Sequence, residues 1–201
     1  MKKFFSYFIV FFLISFTILN SRFVSARLDF WLREDEIKAA ASRGSPPLIG
    51  ETRPVAEAGG FVLTIPALGV EAPVVLEESL NPNVIFDRLE AGVVHYGTSP
   101  LPGQRGTAII LGHSSAYPWY QGEYGSVFAL LGRLQVGDKI YVTSGNRVLT
   151  YQVKESLVFH PFSKDKRLEQ LEQTDTSSII LVSCWPVGTN YKRIAIKADL
   201  I

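Results

Sequence analysis

Cys184 is the residue with the most obvious capacity for chemistry, because it is the only cysteine among 201 residues. A lone cysteine can form neither an intramolecular disulfide nor a cysteine zinc cluster. Its thiol is therefore a buried apolar group, an intermolecular bridge or a reactive nucleophile. Cysteine catalysis needs a thiolate, an imidazole that transfers protons and a donor that stabilises an oxyanion. The chain would have to bring a histidine and such a donor close to the thiol.

His113 is the candidate imidazole. It follows a continuous apolar run at residues 107–111, and Cys184 ends a comparable run at residues 178–183. Apolar runs of this length favour strands that are buried on both faces. If the two strand ends meet at one rim of a sheet, the thiol and the imidazole lie side by side.

Arg193 is the candidate donor for an oxyanion. It lies nine residues after Cys184, and Pro186 and Gly188 between them favour a turn. A strand that runs back alongside could bring Arg193 to the thiol. Arginine stays protonated and offers several N–H donors, so it suits a developing oxyanion or a substrate carbonyl.

Each of these residues also has a structural interpretation. A cysteine after an apolar strand is often a core residue, and a histidine near a strand end is often structural. An arginine in a terminal strand is often a solvated charge. His95 and His160 are competing imidazoles, although neither follows a comparably buried strand. The pattern alone leaves the triad as one hypothesis among these.

An aromatic group follows His113 in a glycine-containing loop. It consists of Tyr117, Trp119, Tyr120 and Tyr124. These side chains line a groove beside the site or pack the loop onto the fold, and the sequence leaves both possibilities open.

Short β-branched and aromatic runs predict the elements that position these residues. Strands are expected at residues 61–65, 74–76, 107–111, 139–143, 148–153, 178–183 and 194–200. Short helices are expected at residues 81–89, 127–134 and 164–172. Seven or eight short strands with few helices predict a mainly β fold that closes, or nearly closes, into a barrel.

The N-terminal segment predicts export and attachment to a membrane. Two lysines precede an uncharged apolar run at residues 4–19. This charge bias predicts a cytoplasmic N-terminus and an extracytoplasmic domain. The run is short for a bilayer span, and residues 24–26 resemble a small-residue cleavage site. An uncleaved anchor and a cleaved signal peptide therefore both remain open.

Composition divides the chain into three parts. Residues 1–26 form the anchor or signal segment, residues 27–59 a juxtamembrane stalk helix with a Pro/Gly linker, and residues 60–201 the globular domain. The formal net charge is +1, which offers no electrostatic footprint for nucleic-acid binding. The sequence thus predicts a membrane-associated protein that does not bind nucleic acid.

Several segments, taken in their order and spacing, resemble the sortase family. They are the strands at 61–75, the stretch at 95–103, the strand and histidine at 106–114, the strand at 137–142, the cysteine strand at 181–184 and the arginine at 193. The similarity covers about residues 60–200. It implies a sortase-type closed β-barrel of about seven to eight strands, preceded by an N-terminal membrane helix.

The resemblance implies a membrane-anchored cysteine transpeptidase that cleaves a C-terminal sorting signal of LPxTG type. Cys184 would form a thioacyl intermediate, which an amine from a cell-wall precursor or a protein lysine resolves. His113 would protonate the leaving amine and deprotonate the incoming one, and Arg193 would hold the substrate and stabilise the oxyanion. Ser183 and Trp185, on either side of the cysteine, are further candidates for substrate contact. The protein would be single-pass, with its catalytic domain outside the cytoplasm.

The sequence departs from the family pattern in places. The usual T-L-x-T-C is Ile-Leu-Val-Ser-Cys at residues 180–184, and Trp185-Pro186 occurs in only some branches. The loop at residues 159–176, which in the family helps to select the sorting signal, differs enough to leave the recognised peptide open. No metal or other cofactor site is predicted, and the calcium dependence of some sortases is left open.

Two other functions are weighed against this one. The first is another enzyme class, an L,D-transpeptidase or a cell-wall cysteine peptidase. An L,D-transpeptidase usually has an arginine two residues after its cysteine, where this chain has Pro186. A non-catalytic anchored β-domain would bind a cell-wall component or a protein partner and bury Cys184. The joint presence of Cys184, His113 and Arg193 disfavours that alternative.

Overall fold

A computed structural model of the chain describes residues 2–19, 28, 31–32, 60–116, 120, 122–162 and 166–201. The predicted linker before residue 60 lies outside the described residues, as does most of the predicted stalk helix. Of that stalk, the structure describes Leu28, Trp31 and Leu32, which are helical. The predicted domain boundaries therefore stay predictions.

Eight strands and three helices, with two single-turn 3-10 helices, make up the described part of the chain. The strands are β1 (Phe61–Ile65), β2 (Val70–Glu77), β3 (Val93–Tyr96), β4 (Gly106–Leu111), β5 (Lys139–Ser144), β6 (Arg147–Phe159), β7 (Ser177–Trp185) and β8 (Lys192–Leu200). The helices are α1 (Lys2–Leu19), α2 (Pro82–Arg88) and α3 (Lys166–Glu172). The 3-10 helices span Pro66–Leu68 and Leu131–Arg133.

The strands close into a barrel in the order β1-β2-β3-β4-β7-β8-β6-β5. Most neighbours are antiparallel, but β2 with β3 and β4 with β7 are parallel pairs. The predicted mainly β barrel of seven to eight strands is confirmed. The strand that the sequence did not predict is β3, which has only four residues.

Alternate side chains of the strands fill the barrel. The best-buried apolar residues have no exposed surface and include Leu63, Ile65, Ile140, Val142, Ile179 and Leu181. Complete burial of one such side chain contributes roughly 1.5–3 kcal/mol relative to exposure. This interior core makes the barrel a rigid frame, so its rim can hold side chains in fixed places.

The short helices agree only in part with the sequence. The helices predicted at residues 81–89 and 164–172 are present as the slightly shorter α2 and α3 among the described residues. The helix predicted at residues 127–134 is wrong, because this segment forms turns and the 3-10 helix Leu131–Arg133. Gly132 lies in its middle, and glycine is a poor helix former.

Helix α1 has 18 residues, and most of its apolar side chains face solvent. Phe4, for example, is 80% exposed. Among the described residues, none of the helices combines the length and the apolar character needed to cross a lipid bilayer.

Candidate active site

The ends of β4 and β7 lie at the same rim of the barrel, because these two strands pair in parallel. Their register aligns Leu111 with Val182. His113 lies two residues beyond Leu111, and Cys184 lies two residues beyond Val182. The fold therefore brings the chain at His113 and the chain at Cys184 to neighbouring positions.

Two hydrogen bonds tie these strand ends together. The Gly112 N–H donates to the Val182 carbonyl at 3.1 Å, which extends the ladder past the end of β4. The Ser183 hydroxyl donates to the Gly112 carbonyl at 2.7 Å, and Ser183 is only 3% exposed. Ser183 therefore holds the segment that precedes His113. Its predicted contact with substrate stays a prediction.

Cys184 and Arg193 are direct partners across the antiparallel pair of β7 and β8. Side chains at such positions have Cβ atoms roughly 4.5–5.5 Å apart. Cys184 is a free, half-buried thiol. Arg193 donates from Nη1 to the carbonyls of Asn190 and Lys192, both at 2.9 Å. These bonds steady the guanidinium and leave the donors on Nε and Nη2 for a ligand.

His113 is half-buried between two aromatic rings. The ring centroid of Phe86 is 5.9 Å from that of the imidazole, and the centroid of Tyr120 is 5.3 Å away with its ring edge-on. Burial lowers the pKa of His113, because loss of hydration disfavours the imidazolium. Near neutral pH the imidazole is thus largely neutral, and a neutral imidazole can accept a thiol proton.

The predicted aromatic loop contributes to this arrangement through Tyr120. Its hydroxyl donates to the Leu89 carbonyl at 2.7 Å. Tyr124 packs against the barrel core. Tyr117 and Trp119 lie outside the described residues. Tyr124 thus packs the loop onto the fold, which is one of the two possibilities left by the sequence. Tyr120 instead packs on His113.

His95 has structural surroundings. It lies on β3 and is 4% exposed. Its Nε2 is 3.0 Å from the Pro100 carbonyl oxygen and 3.1 Å from the Ser99 hydroxyl oxygen. These contacts occupy the ring inside the protein, which is typical of a histidine that stabilises a turn.

His160 lies one strand further from the thiol. It follows Phe159, whose partner on β8 is Arg193, so β8 separates His160 from Cys184. His160 is exposed, and its ring packs edge-on against Tyr191 with centroids 5.5 Å apart. His113 is therefore the imidazole that follows the strand directly next to the cysteine strand.

Trp185 follows the cysteine and packs against the end of the barrel. A Cβ built at Gly132 would lie 2.8 Å from the Trp185 ring, so the ring needs a glycine beneath it. The side chain is half-buried by this packing. Its predicted contact with substrate stays a prediction.

An apolar groove of about 210 Å³ runs along the outer face of β4, β7 and β8. It is lined by Tyr96, Ile109, Leu111, Phe159, Leu168, Leu171, Glu172, Ile180, Val182 and Ala195. The helix α3 covers one side, where Leu171 packs on Ile180 and Ala195. The Thr107 hydroxyl donates to the Glu172 carbonyl at 2.7 Å and so fastens the end of α3 to β4.

The groove and the candidate catalytic residues share one face of the sheet. Successive side chains of a strand alternate between faces. Ile180 and Val182 line the groove, and Cys184 continues the same alternation. On β8, Ala195 lines the groove, and Arg193 lies two residues before it and so projects from the same face. The groove therefore leads along the strands toward the thiol.

The described residues contain no group of three or more His, Cys, Asp or Glu side chains that could hold a metal ion. The expectation that the protein needs no cofactor stays a prediction, and so does the open question of calcium dependence.

Comparison with known proteins identifies the family. The sortase domain model matches residues 63–201, which is most of the chain. The chain belongs to the sortase family. The family inferred from the sequence is thereby confirmed, and the protein is an enzyme of the cysteine transpeptidase class. Sortases generally act at the cell surface, on substrates with sorting signals and on amine acceptors.

Solved structures of sortases resemble this one. Sortase A from Corynebacterium diphtheriae, a lid mutant, is 26% identical with a TM-score of 0.58, and the match covers 77% of this chain and 74% of that chain. Sortase C-1 from Actinomyces oris is 20% identical with a TM-score of 0.59, covering 83% and 98%. A sortase D5 transpeptidase from Clostridium perfringens is 23% identical with a TM-score of 0.55, covering 86% and 94%. The last two share the fold. A search of curated proteins finds no match.

Proposed function

We propose that this sortase is a membrane-anchored transpeptidase that cleaves a C-terminal sorting signal of LPxTG type and joins the cleaved protein to an amine. The observation that carries the proposal is the alignment of Cys184 with Arg193 on one side and the His113 segment on the other, at the end of an apolar groove. This arrangement supplies a nucleophile, a proton carrier and an oxyanion donor.

Cleavage begins at the thiol. The His113 imidazole takes the proton from Cys184, and the sulfur attacks the carbonyl carbon of the scissile peptide bond. Negative charge develops on the carbonyl oxygen, where Arg193 donates from its N–H groups. The tetrahedral intermediate collapses as His113 gives its proton to the leaving amine. The product is a thioester between Cys184 and the substrate's new C-terminal residue.

Transfer repeats the same steps in reverse order. An incoming amine attacks the thioester carbonyl and gives a proton to His113. Arg193 again stabilises the oxyanion, and the bond to sulfur breaks. His113 returns the proton to Cys184, so the enzyme ends in its starting state with a new amide bond formed.

The groove supports an extended apolar peptide as the substrate. A strand-like chain advances about 3.3 Å per residue, so a few residues before the scissile bond fit along the face that leads to Cys184. The lining is almost wholly apolar, as residues such as leucine and proline require. The end of β6 supplies Phe159 to the groove and the loop between β6 and β7 supplies α3, which favours a role for this loop in selecting the signal.

The proposed location is the cell membrane, with the apolar N-terminal segment as the anchor and the barrel outside the cytoplasm. Support comes from the exposed phenylalanines of α1, since such side chains need an apolar environment to cover them. The lysines at positions 2 and 3 favour a cytoplasmic N-terminus.

The test is ligation by the full-length protein in detergent. A library of sorting-type peptides is incubated with the enzyme and with a small amine acceptor, and mass spectrometry reads the products. We expect a ligated product from at least one peptide, and none with the Cys184→Ala variant. Equal product formation by Cys184→Ala would contradict the proposal.

A further inference from the structure

We infer that Phe86 and Tyr120 form an aromatic clamp that holds the His113 imidazole in the orientation needed for proton transfer. The clamp makes both residues positioning residues for the reaction, and the inference rests on the proposed function. It concerns two side chains that do not line the apolar groove.

The need for a clamp follows from the hydrogen bonds of His113. A catalytic histidine is usually oriented by a hydrogen bond from its second ring nitrogen. Within the described part of the chain, no hydrogen bond reaches either ring nitrogen of His113. Its ring contacts are Phe86, tilted by 36° at 5.9 Å, and Tyr120, edge-on at 80° and 5.3 Å. Contacts with these two aromatic rings therefore orient the imidazole.

Tyr120 is held rigidly enough to act as one side of the clamp. Its hydroxyl donates to the Leu89 carbonyl at 2.7 Å. A Cβ at Gly125 would lie 2.9 Å from the Tyr120 ring, and a Cβ at Gly122 would lie 2.5 Å from its hydroxyl oxygen. The two glycines thus let the backbone approach the tyrosine closely and leave its ring little room to turn.

Helix α2 supplies one side of the clamp and helps to anchor the other. It carries Phe86, and the Leu89 carbonyl that anchors Tyr120 lies at its C-terminal end. The helix is fixed at its start by Asn81, whose side chain accepts from the Asn83 N–H at 3.0 Å. At its end, Arg88 is ion-paired with a glutamate of β2 at 2.8 Å.

The exposure of Phe86 argues that its placement is functional. The side chain is 60% exposed, so burial accounts for little of its presence. Substitution of an exposed residue away from special features usually changes the free energy of unfolding by less than about 0.5 kcal/mol. A variant of Phe86 should therefore fold, and its effects can be read at His113.

The clamp also keeps water from His113, and burial lowers the pKa of this histidine. The titratable or charged groups at this end of the neighbouring elements are Cys184 on β7, Lys192 and Arg193 on β8, Asp87 and Arg88 on α2, and Tyr120 of the clamp itself. Truncation of Phe86 admits water and frees the ring, while these charges stay in place. We therefore expect the pKa of His113 to move up toward its ordinary value, and productive orientations to become rarer.

The experiment uses the full-length protein with isotope-labelled histidine. The pKa of His113 is followed by NMR, with His113→Gln to assign the signal, and kcat and KM are measured for a ligated peptide. For Phe86→Ala we expect a raised pKa, a kcat lower by about 10- to 100-fold and a KM within about twofold of the wild type. Phe86→Tyr should restore both values. Val136→Ala, which truncates another exposed apolar side chain, should change neither.

The outcomes separate the clamp from the proposed function. If the wild type ligates peptides but Phe86→Ala leaves the pKa of His113 or kcat unchanged, the clamp is wrong and the function stands. If the wild type ligates no peptide, the proposed function fails, and the NMR titration alone decides the clamp: an unshifted pKa overturns it and a raised pKa supports it.

Discussion

Cys184 and Arg193 face each other directly across β7 and β8. They are nine positions apart in sequence, and the antiparallel pairing of β7 with β8 places them opposite each other. The guanidinium is steadied on one side, where its Nη1 donates to the Asn190 and Lys192 carbonyls at 2.9 Å. A thiol and a preoriented cation opposite each other suit a reaction in which negative charge develops beside the attacked carbon.

The first prediction concerns this pair. Arg193→Ala should lower kcat/KM for peptide ligation by about 100- to 1,000-fold, because loss of one oxyanion donor typically costs that much. Arg193→Lys should recover only part of the loss, since a lysine keeps the charge but not the forked N–H groups. Steady-state kinetics check both variants, with circular dichroism to verify the fold. Wild-type kinetics in Arg193→Ala would remove the arginine from the mechanism.

The second prediction concerns Ser183. Ser183→Ala removes the 2.7 Å hydrogen bond to the Gly112 carbonyl, and we expect a loss of about 1–3 kcal/mol in the free energy of unfolding. Because this bond holds the segment before His113, kcat should fall as well. Urea unfolding and ligation kinetics measure the two effects.

A matched control lies on the same strand. The buried Ser178 hydroxyl pairs with the Thr107 hydroxyl at 2.7 Å, away from the rim that carries Cys184. Ser178→Ala should cost comparable stability while kcat stays near the wild-type value. An equal fall of kcat in both variants would mean that lost stability, rather than lost positioning, explains Ser183→Ala.

The third prediction concerns the groove. Val182→Thr places a hydroxyl among apolar lining residues, so we expect KM for an apolar signal peptide to rise several-fold with a smaller change in kcat. Val158→Thr on β6 makes the same change outside the groove and should leave KM unaltered. If the two variants have the same KM, the peptide binds elsewhere.

The fourth prediction concerns pH. Burial lowers the pKa of His113 in the folded state relative to the unfolded chain. As the pH falls below the ordinary histidine pKa, the unfolded state takes up a proton that the folded state resists, so stability falls. The contribution is fully present above that pKa. The urea midpoint of the wild type should therefore drop more between pH 7.5 and pH 5.5 than that of His113→Gln, and parallel profiles would contradict the burial of His113.

The sequence predicted the barrel, because its strands follow from local patterns, whereas the meeting of the two strand ends at one rim was only a hypothesis until the fold was seen. The runs at residues 107–111 and 178–183 are apolar on both faces, which marks central strands. The same feature hid the groove, since an unbroken apolar run does not reveal which face is interior. Ile179 and Ile180 look alike in sequence, yet one lies in the core and the other lines the groove.

The contact of Phe86 and Tyr120 with His113 could not be predicted from the sequence, for a different reason. Phe86 reads as an ordinary helix residue, and its contact with His113 depends on how α2 returns over the barrel rim. The role of Ser183 was likewise hidden, because its hydrogen bond joins residues that are 71 positions apart. Contacts of this range depend on strand order, and the parallel pairing of β4 with β7 is not encoded in either strand alone.

The most direct test of the account is the mass of the acyl-enzyme. The full-length protein is mixed with a peptide that it ligates, without an amine acceptor, and is quenched in acid for intact-mass measurement and peptide mapping. We expect a mass increase equal to the peptide fragment before the cleaved bond, located on Cys184 and removed by hydroxylamine. A ligating enzyme whose adduct lies on another residue, or that still ligates as Cys184→Ala, would contradict the assignment of Cys184 as the nucleophile.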